Sequence, residues 1–405
     1  MRRLAWPSLL ALAFAIPWEY SLDFGPPYGN VARLIGLITG ILTILAILQT
    51  RSIRSFDAVH WLVLALFLWS GLTYFWSIDP ASTLFHLRGY GQEMSILWMV
   101  WELADSNQDL RNLLRAFLAG SFVLAVLTAY ALAVVESPDQ VRFFPPGQDP
   151  NDVARFLVLA VPAAALLVVS ESNRLLQFIA ACYLPVAGAA VLLTASRGGA
   201  LAGTIAAAGA VAILSRGSRR RGLAVTGGAL VALVAIWAAL PWATIGRLLT
   251  IPDQLASGDL NQRLQIWSAG MLAYVEHPLI GTGLASFVQA SGLAQEDTAH
   301  STPLALAVEG GLPALGLALG IVVLNFRSTL KLAGPLRLAL LTTLAVWAVG
   351  ATVATVQENR TTWLMFAIVA VAYRLRAEPF LQPSHSDTAD KAPADPSIAL
   401  PEAAQ

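Results

Sequence analysis

"EDTAHSTPLALAVEGGLPALGLALG", residues 296–320, takes the chain from acidic and hydroxyl residues into a long apolar run, with one histidine, His300, at the threshold. The apolar run is long enough to cross a bilayer. In hydrocarbon every backbone group must be satisfied within the protein, and the run lacks the alternation of a barrel strand, so it reads as a membrane helix. Composition extends that reading to the whole chain. Of 405 residues, 57% are hydrophobic and 12% charged, and the mean hydropathy is +0.65, outside the range of a soluble globular domain.

Twelve such runs fall at roughly 4–20, 31–50, 57–76, 84–104, 116–135, 152–170, 175–194, 198–214, 222–240, 303–324, 336–356 and 361–376. The expected fold is therefore all-α, a polytopic transmembrane bundle of about twelve helices. The opening "MRRLAWPSLLALAFAIPWEY" also has the outline of a signal peptide, and a retained first helix is favoured. No internal repeat is visible. Residues 1–376 form the membrane domain, and 377–405, rich in Ala, Pro, Ser and Asp, read as a disordered cytoplasmic tail.

Formal net charge is zero, so attraction to an anionic partner depends on where the charges lie. Alternate loops divide the 25 basic residues unevenly: seventeen fall on one side, taken as cytoplasmic. The other eight are Arg33, Arg88, Arg142, Arg155, Arg197, Arg247, Arg263 and Arg360, with no lysine among them. This orientation leaves 241–302 as a long extracytoplasmic loop. Within it "SGDLNQRLQIWSAGMLAYVEHP" places Leu260, Leu264, Trp267, Met271 and Tyr274 at helical spacing, with Asp259 as a cap and Pro278 past the end. It reads as an amphipathic helix at the membrane surface.

Polar groups from four stretches converge on this one side. "TASRGGALAG" sets Ser196 and Arg197 in a tight turn between two helices, with Gly198 and Gly199 allowing close approach of a ligand or another backbone. Arg263 lies on the loop helix, and His300 where the loop re-enters the membrane. "FFPPGQDPNDVARFL" adds Asp149, Asn151, Asp152 and Arg155. A guanidinium grips phosphate oxygens at two points and stays charged in a low dielectric, so the arginines imply a phosphorylated lipid. The plainer alternative for Arg197 is a turn residue snorkelling to the interface. His300 reads either as a cap on the helix beginning near Pro303 or as a general base, with Asp297 or Glu309 orienting its other nitrogen. His86, with Arg88, is a lesser candidate for the same face.

Several chemistries find no support. No spacing resembles HExxH or paired CxxC, so no metal site is expected, nor is there a P-loop or dinucleotide fingerprint, and no cofactor or nucleic-acid partner is expected. Cys182, the single cysteine, sits in an apolar run and reads as a small core residue. A transporter is the rival from another class. Transporters gather substrate groups near the midplane on broken helices, whereas here they gather at one lip beside a long loop.

"TASRGGALAG", "NQRLQIWSAGMLAYVEHPLIGTGLASF" and "AHSTPLALAVEGGLPALGLAL", with the earlier "GQDPNDVARFL", resemble in order and spacing the core of the O-antigen ligase and polymerase superfamily over about 145–325. The resemblance implies a metal-independent, inverting glycosyltransferase of the bacterial inner membrane. It would take a glycan from undecaprenyl diphosphate on the periplasmic side and join it to an acceptor hydroxyl, a sugar of the lipid A core in the ligase branch. It places Arg197 and Arg263 on the donor diphosphate and His300 at the family's essential histidine. Many members have asparagine after that histidine, where this chain has Ser301. The resemblance leaves open an O-antigen or exopolysaccharide polymerase and a protein O-glycosylating ligase, which differ in the acceptor alone.

Overall fold

The computed structural model describes residues 1–26, 28–134, 140–217, 219–250, 262–294, 298–378 and 380. Asp259, Leu260 and Asp297, and nearly all of the expected tail, lie outside them. The described residues form fifteen α-helices: α1 (Arg2–Ala15), α2 (Val31–Thr50), α3 (Ala58–Leu72), α4 (Pro80–Leu103), α5 (Asn107–Ala133), α6 (Pro150–Ser170), α7 (Arg174–Leu193), α8 (Arg197–Leu214), α9 (Arg219–Ala239), α10 (Trp242–Leu249), α11 (Arg263–Glu276), α12 (Phe287–Ala290), α13 (Thr302–Leu330), α14 (Gly334–Val353) and α15 (Arg360–Arg374). The all-helical expectation holds, with no named strand among the described residues.

The expected count of about twelve spanning helices is not confirmed. Among the described residues, eight helices are long and apolar enough to cross a membrane, or nine if α9 and α10, bent by 111° at a short break, count as one span. All twelve apolar runs are helical, but not all qualify as spans. With 15 residues, α15 reaches only about 22 Å at 1.5 Å per residue, short of a hydrocarbon core of about 30 Å. The α3 helix, of the same length, qualifies only with the 3-10 turn Thr73–Phe75 that extends it, and α1, of 14 residues, runs on into the 3-10 segment Ile16–Ser21 without qualifying. The α4 helix is long enough at 24 residues, but carries Arg88, Glu93 and Glu102.

At the centre stands α6, packed against α5, α7, α8 and α14. Its sequence is apolar on every side because nearly every side is covered. Small residues let its neighbours come close. A Cβ added to Gly199 on α8 would fall 2.4 Å from that of Ala154 on α6, so the second glycine of "SRGG" is a packing requirement.

Hydrogen bonds divide the arginines between the two ends of the bundle. At one end, Arg2 donates to the Glu102 carbonyl at 3.0 Å, Arg54 to that of Ala104 at 3.2 Å and Arg374 to that of Trp101 at 2.7 Å. These cations sit on the C-terminus of α4, where the helix dipole favours them. Arg142, Arg155, Arg197, Arg247 and Arg263 lie at the other end, where α6, α8 and α13 begin.

Candidate functional site

Two helix starts are joined at the base of the site. Asp149 caps α6 by accepting from the N–H groups of Asn151 at 2.7 Å and Asp152 at 3.3 Å. Ser196 caps α8, its hydroxyl accepting from Gly199 N–H at 3.1 Å. The same hydroxyl donates to the Asn151 side-chain oxygen at 3.0 Å. Arg142 locks the junction from the preceding loop, donating through Nη2 to that Asn151 oxygen at 2.9 Å and through Nε to the Thr194 carbonyl at 3.0 Å. The positive ends of two helix dipoles thus point to the same place.

Arginines gather around this junction. The Arg197 Nη2 donates to Thr250 Oγ1 at 2.6 Å, and that hydroxyl donates to the Arg247 carbonyl at 2.7 Å. Arg247 reaches back, its Nε donating to the Ala195 carbonyl at 3.3 Å. The crowding is felt electrostatically: burial and the neighbouring charges of Arg247 and Arg197 push the Arg142 guanidinium down, against the pull of Asp149. A fourth arginine is spoken for, since Arg155 is buried and donates to Asp152 at 2.7 Å.

Arg263 arrives from α11, where burial lowers its guanidinium and Asp149 opposes the shift. The helix is tied to the His300 strand of chain by Trp267, whose indole donates to the Ala299 carbonyl at 3.1 Å. Its packing shows which side faces the protein. The buried face is Ile266, Gly270 and Ala273, flanked by Trp267 and Tyr274, while Leu264 and Met271 are 47% and 52% exposed. The helix is apolar on both sides, so two sets of residues satisfy the same spacing, and contact with Phe287 and α13 selects the inner one.

His300 does not cap α13. The helix starts at Thr302 with Ser301 in the cap position and no side-chain cap. The His300 backbone is left-handed at φ 44°, and its Nδ1 lies 3.2 Å from Thr298 Oγ1. The next turn is anchored to the α14–α15 loop, because Thr302 Oγ1 donates to the Ala354 carbonyl at 2.9 Å and accepts from Val356 N–H at 2.8 Å. Of the groups that influence Asp152, His300 comes last, after burial, Arg155 and Asp149, so the imidazole lies within electrostatic range of the α6 start without touching it.

Of the two expected partners for His300, Asp297 lies outside the described residues. Glu309 is buried, with one carboxyl oxygen lacking a hydrogen-bond partner among the described residues, and lies within the electrostatic influence of Glu358 and His86. His86 and Glu358 are themselves paired at 2.9 Å, so His86 does reach this end of the bundle. Below them α13 breaks at Gly311, with φ 64° and ψ −162°. The break frees carbonyls that the loop then uses. Thr282 and Gly283 N–H donate to the carbonyls of Val308 and Glu309, each at 2.9 Å, and Leu312 N–H donates to that of Pro278 at 3.0 Å. The "IGTG" and "EGGLP" stretches are two halves of one backbone junction.

All eight expected site residues therefore lie at one end of the bundle. Asn151 and Ser196 are joined by direct hydrogen bond, as are Asp152 and Arg155, whereas Asp149 with Arg263 and Asp152 with His300 are linked through charge. Three of the five non-glycine residues with positive φ among those described are Ala195, Gln262 and His300, placed just before Arg197, just before Arg263 and at the histidine itself. Left-handed backbone at such residues is strained and collects at functional sites. Sequence reasoning missed Arg142, Arg247 and Glu358. The signal for the two arginines was present, since both belong to the lysine-free set of eight.

Residues 182–319 match the family model described as O-antigen ligase. That segment runs from within α7 into α13 and includes Arg197, Arg263 and His300, but not 149–155. No curated protein matches the chain. The match over 182–319 bears out the resemblance of the sequence motifs to the O-antigen ligase superfamily.

Proposed function

We propose that the protein is an O-antigen ligase of the bacterial inner membrane, transferring a glycan from undecaprenyl diphosphate to a sugar hydroxyl of the lipid A core on the periplasmic side. The observation that supports this reading is that Arg197, Arg263 and His300 all lie at the end of the bundle where the joined starts of α6 and α8 stand. Arg197 and Arg263 hold the diphosphate. As the bond from the anomeric carbon to the diphosphate oxygen breaks, charge grows on the leaving group, and the two guanidiniums stabilise it. The acceptor oxygen forms the new bond on the opposite face and its proton passes to the His300 imidazole, so the anomeric centre inverts. Thr298, on Nδ1, sets the ring so that Nε2 takes the proton.

Arg142 and Arg247 add positive field without reaching the reacting atoms, and Asp149 and Asp152 keep the cluster from excess charge. The test is transfer by the purified protein of a labelled glycan from its undecaprenyl diphosphate carrier to lipid A core. Labelled lipopolysaccharide is the expected product. Elongated lipid-linked glycan instead would make the protein a polymerase, labelled serine or threonine a protein ligase, and uptake of solute without transfer a transporter.

A further inference from the structure

A second lipid-facing feature lies away from the transfer site. Whereas α8 packs on α6, α7, α9 and α14, α2 packs on α1 and α4, and a cavity of about 240 Å³ opens along α2 and α4. Gly36 and Gly40, one turn apart on α2, carve it. A Cβ at Gly40 would meet only the Met99 sulfur, at 3.9 Å. Trp98 and Ile44 wall the apolar part. At the other end stand Arg33, Gln92 and Arg360, at the same end of the bundle as His300, since α15 and α13 both begin there.

The two arginines differ. Arg360 is buried and ion-paired with buried Glu19. The half-buried Arg33 guanidinium has no hydrogen-bond or ion-pair partner among the described residues, its hydrogen bond to Asn30 being made by the backbone N–H. A cation held against apolar walls is costly unless an anion meets it. The twelve residues from Arg33 to Ile44 span about 16 Å of helix, close to one leaflet of a hydrocarbon core of about 30 Å. A charged head at one end and an apolar channel one leaflet long match a membrane lipid lying in its own leaflet.

We propose that this groove binds one acyl chain of a glycerophospholipid from the surrounding bilayer, with Arg33 on its phosphate. The guanidinium fork grips the phosphate oxygens, and the chain supplies the contacts that the glycine-lined wall otherwise lacks. Binding does not depend on the transfer reaction and is read without it.

The test is native mass spectrometry of the purified full-length protein in detergent, offered equal amounts of palmitoyl-oleoyl phosphatidylglycerol and a phosphate-free galactolipid with the same chains. One phosphatidylglycerol is retained about tenfold over the galactolipid, in line with a charge-assisted hydrogen bond. Arg33→Gln brings that ratio close to one while a lipid is still retained, and Gly40→Leu, which fills the channel, loses both lipids. Equal retention of the two lipids by the wild type, or an unchanged ratio in Arg33→Gln, overturns the proposal. A photoactivatable phosphatidylglycerol on the wild type gives an arm that needs no variant to fold. Labelled peptides around Gly40 and Trp98 are expected, and labelling confined to other helices overturns the proposal.

Discussion

The Ser196 hydroxyl donates to Asn151 at 3.0 Å and accepts from Gly199 N–H at 3.1 Å, so one oxygen both caps α8 and ties it to the start of α6. The two roles separate by substitution. Ser196→Ala loses the cap and the tie and costs about 1 kcal/mol of stability, whereas Ser196→Gly costs only a few tenths through the cap. If the tie holds Arg197 in place, both variants lose transfer to a similar extent despite different melting temperatures. A glycine variant with wild-type turnover would leave the hydroxyl with a capping role alone.

Arg197 uses its planar head, donating through Nη2 to Thr250 while lying beside Arg247. Lysine keeps the charge but not the fork. Arg197→Lys and Arg263→Lys are therefore expected to lower kcat/KM for the lipid-linked donor by at least about tenfold, close to the effect of alanine, if two-point contact with the diphosphate matters. Near-normal kcat/KM in both lysine variants would reduce the arginines to general charge attraction.

Gly281 sits at φ +69°, and a Cβ there would fall 2.4 Å from the carbonyl of Glu309. Gly25 has nearly the same φ, +70°, with nothing within 4 Å. Gly25→Ala should cost only the left-handed backbone term of about 1–2 kcal/mol, while Gly281→Ala must also push the loop off the broken α13. The expected result is a much larger fall in melting temperature for Gly281→Ala, with lost transfer because the loop that carries Arg263 is displaced. Equal effects of the two substitutions would mean that the junction yields easily.

The parts of the fold written in apolar runs were legible. Each run became a helix because a long stretch without polar residues has no other way to satisfy its backbone in hydrocarbon. The number of spans was less legible, because α1 and α15 are apolar yet short and α4 is long yet charged, and hydropathy alone weighs neither length nor partners. The face of α11 could not be chosen from spacing, since Leu264 and Met271 repeat as regularly as Ile266, Gly270 and Ala273. The site was legible where a residue type announced chemistry, as at Arg197, Arg263 and His300. Glu358 gave no such signal, because only the fold of the α14–α15 loop brings it to His86.

His300 is the centre of the proposal, and the α13 cap position beside it is held by Ser301. Asparagine tolerates the left-handed backbone at φ 44° better than most residues, so His300→Asn should insert and fold. The deciding measurement is single-turnover glycan transfer by purified His300→Asn, with donor binding checked on the same sample. Wild-type donor affinity with transfer slowed by about 10² to 10⁴ is the predicted result, the usual worth of general-base assistance. Transfer close to the wild-type rate would contradict it and make the imidazole a structural residue.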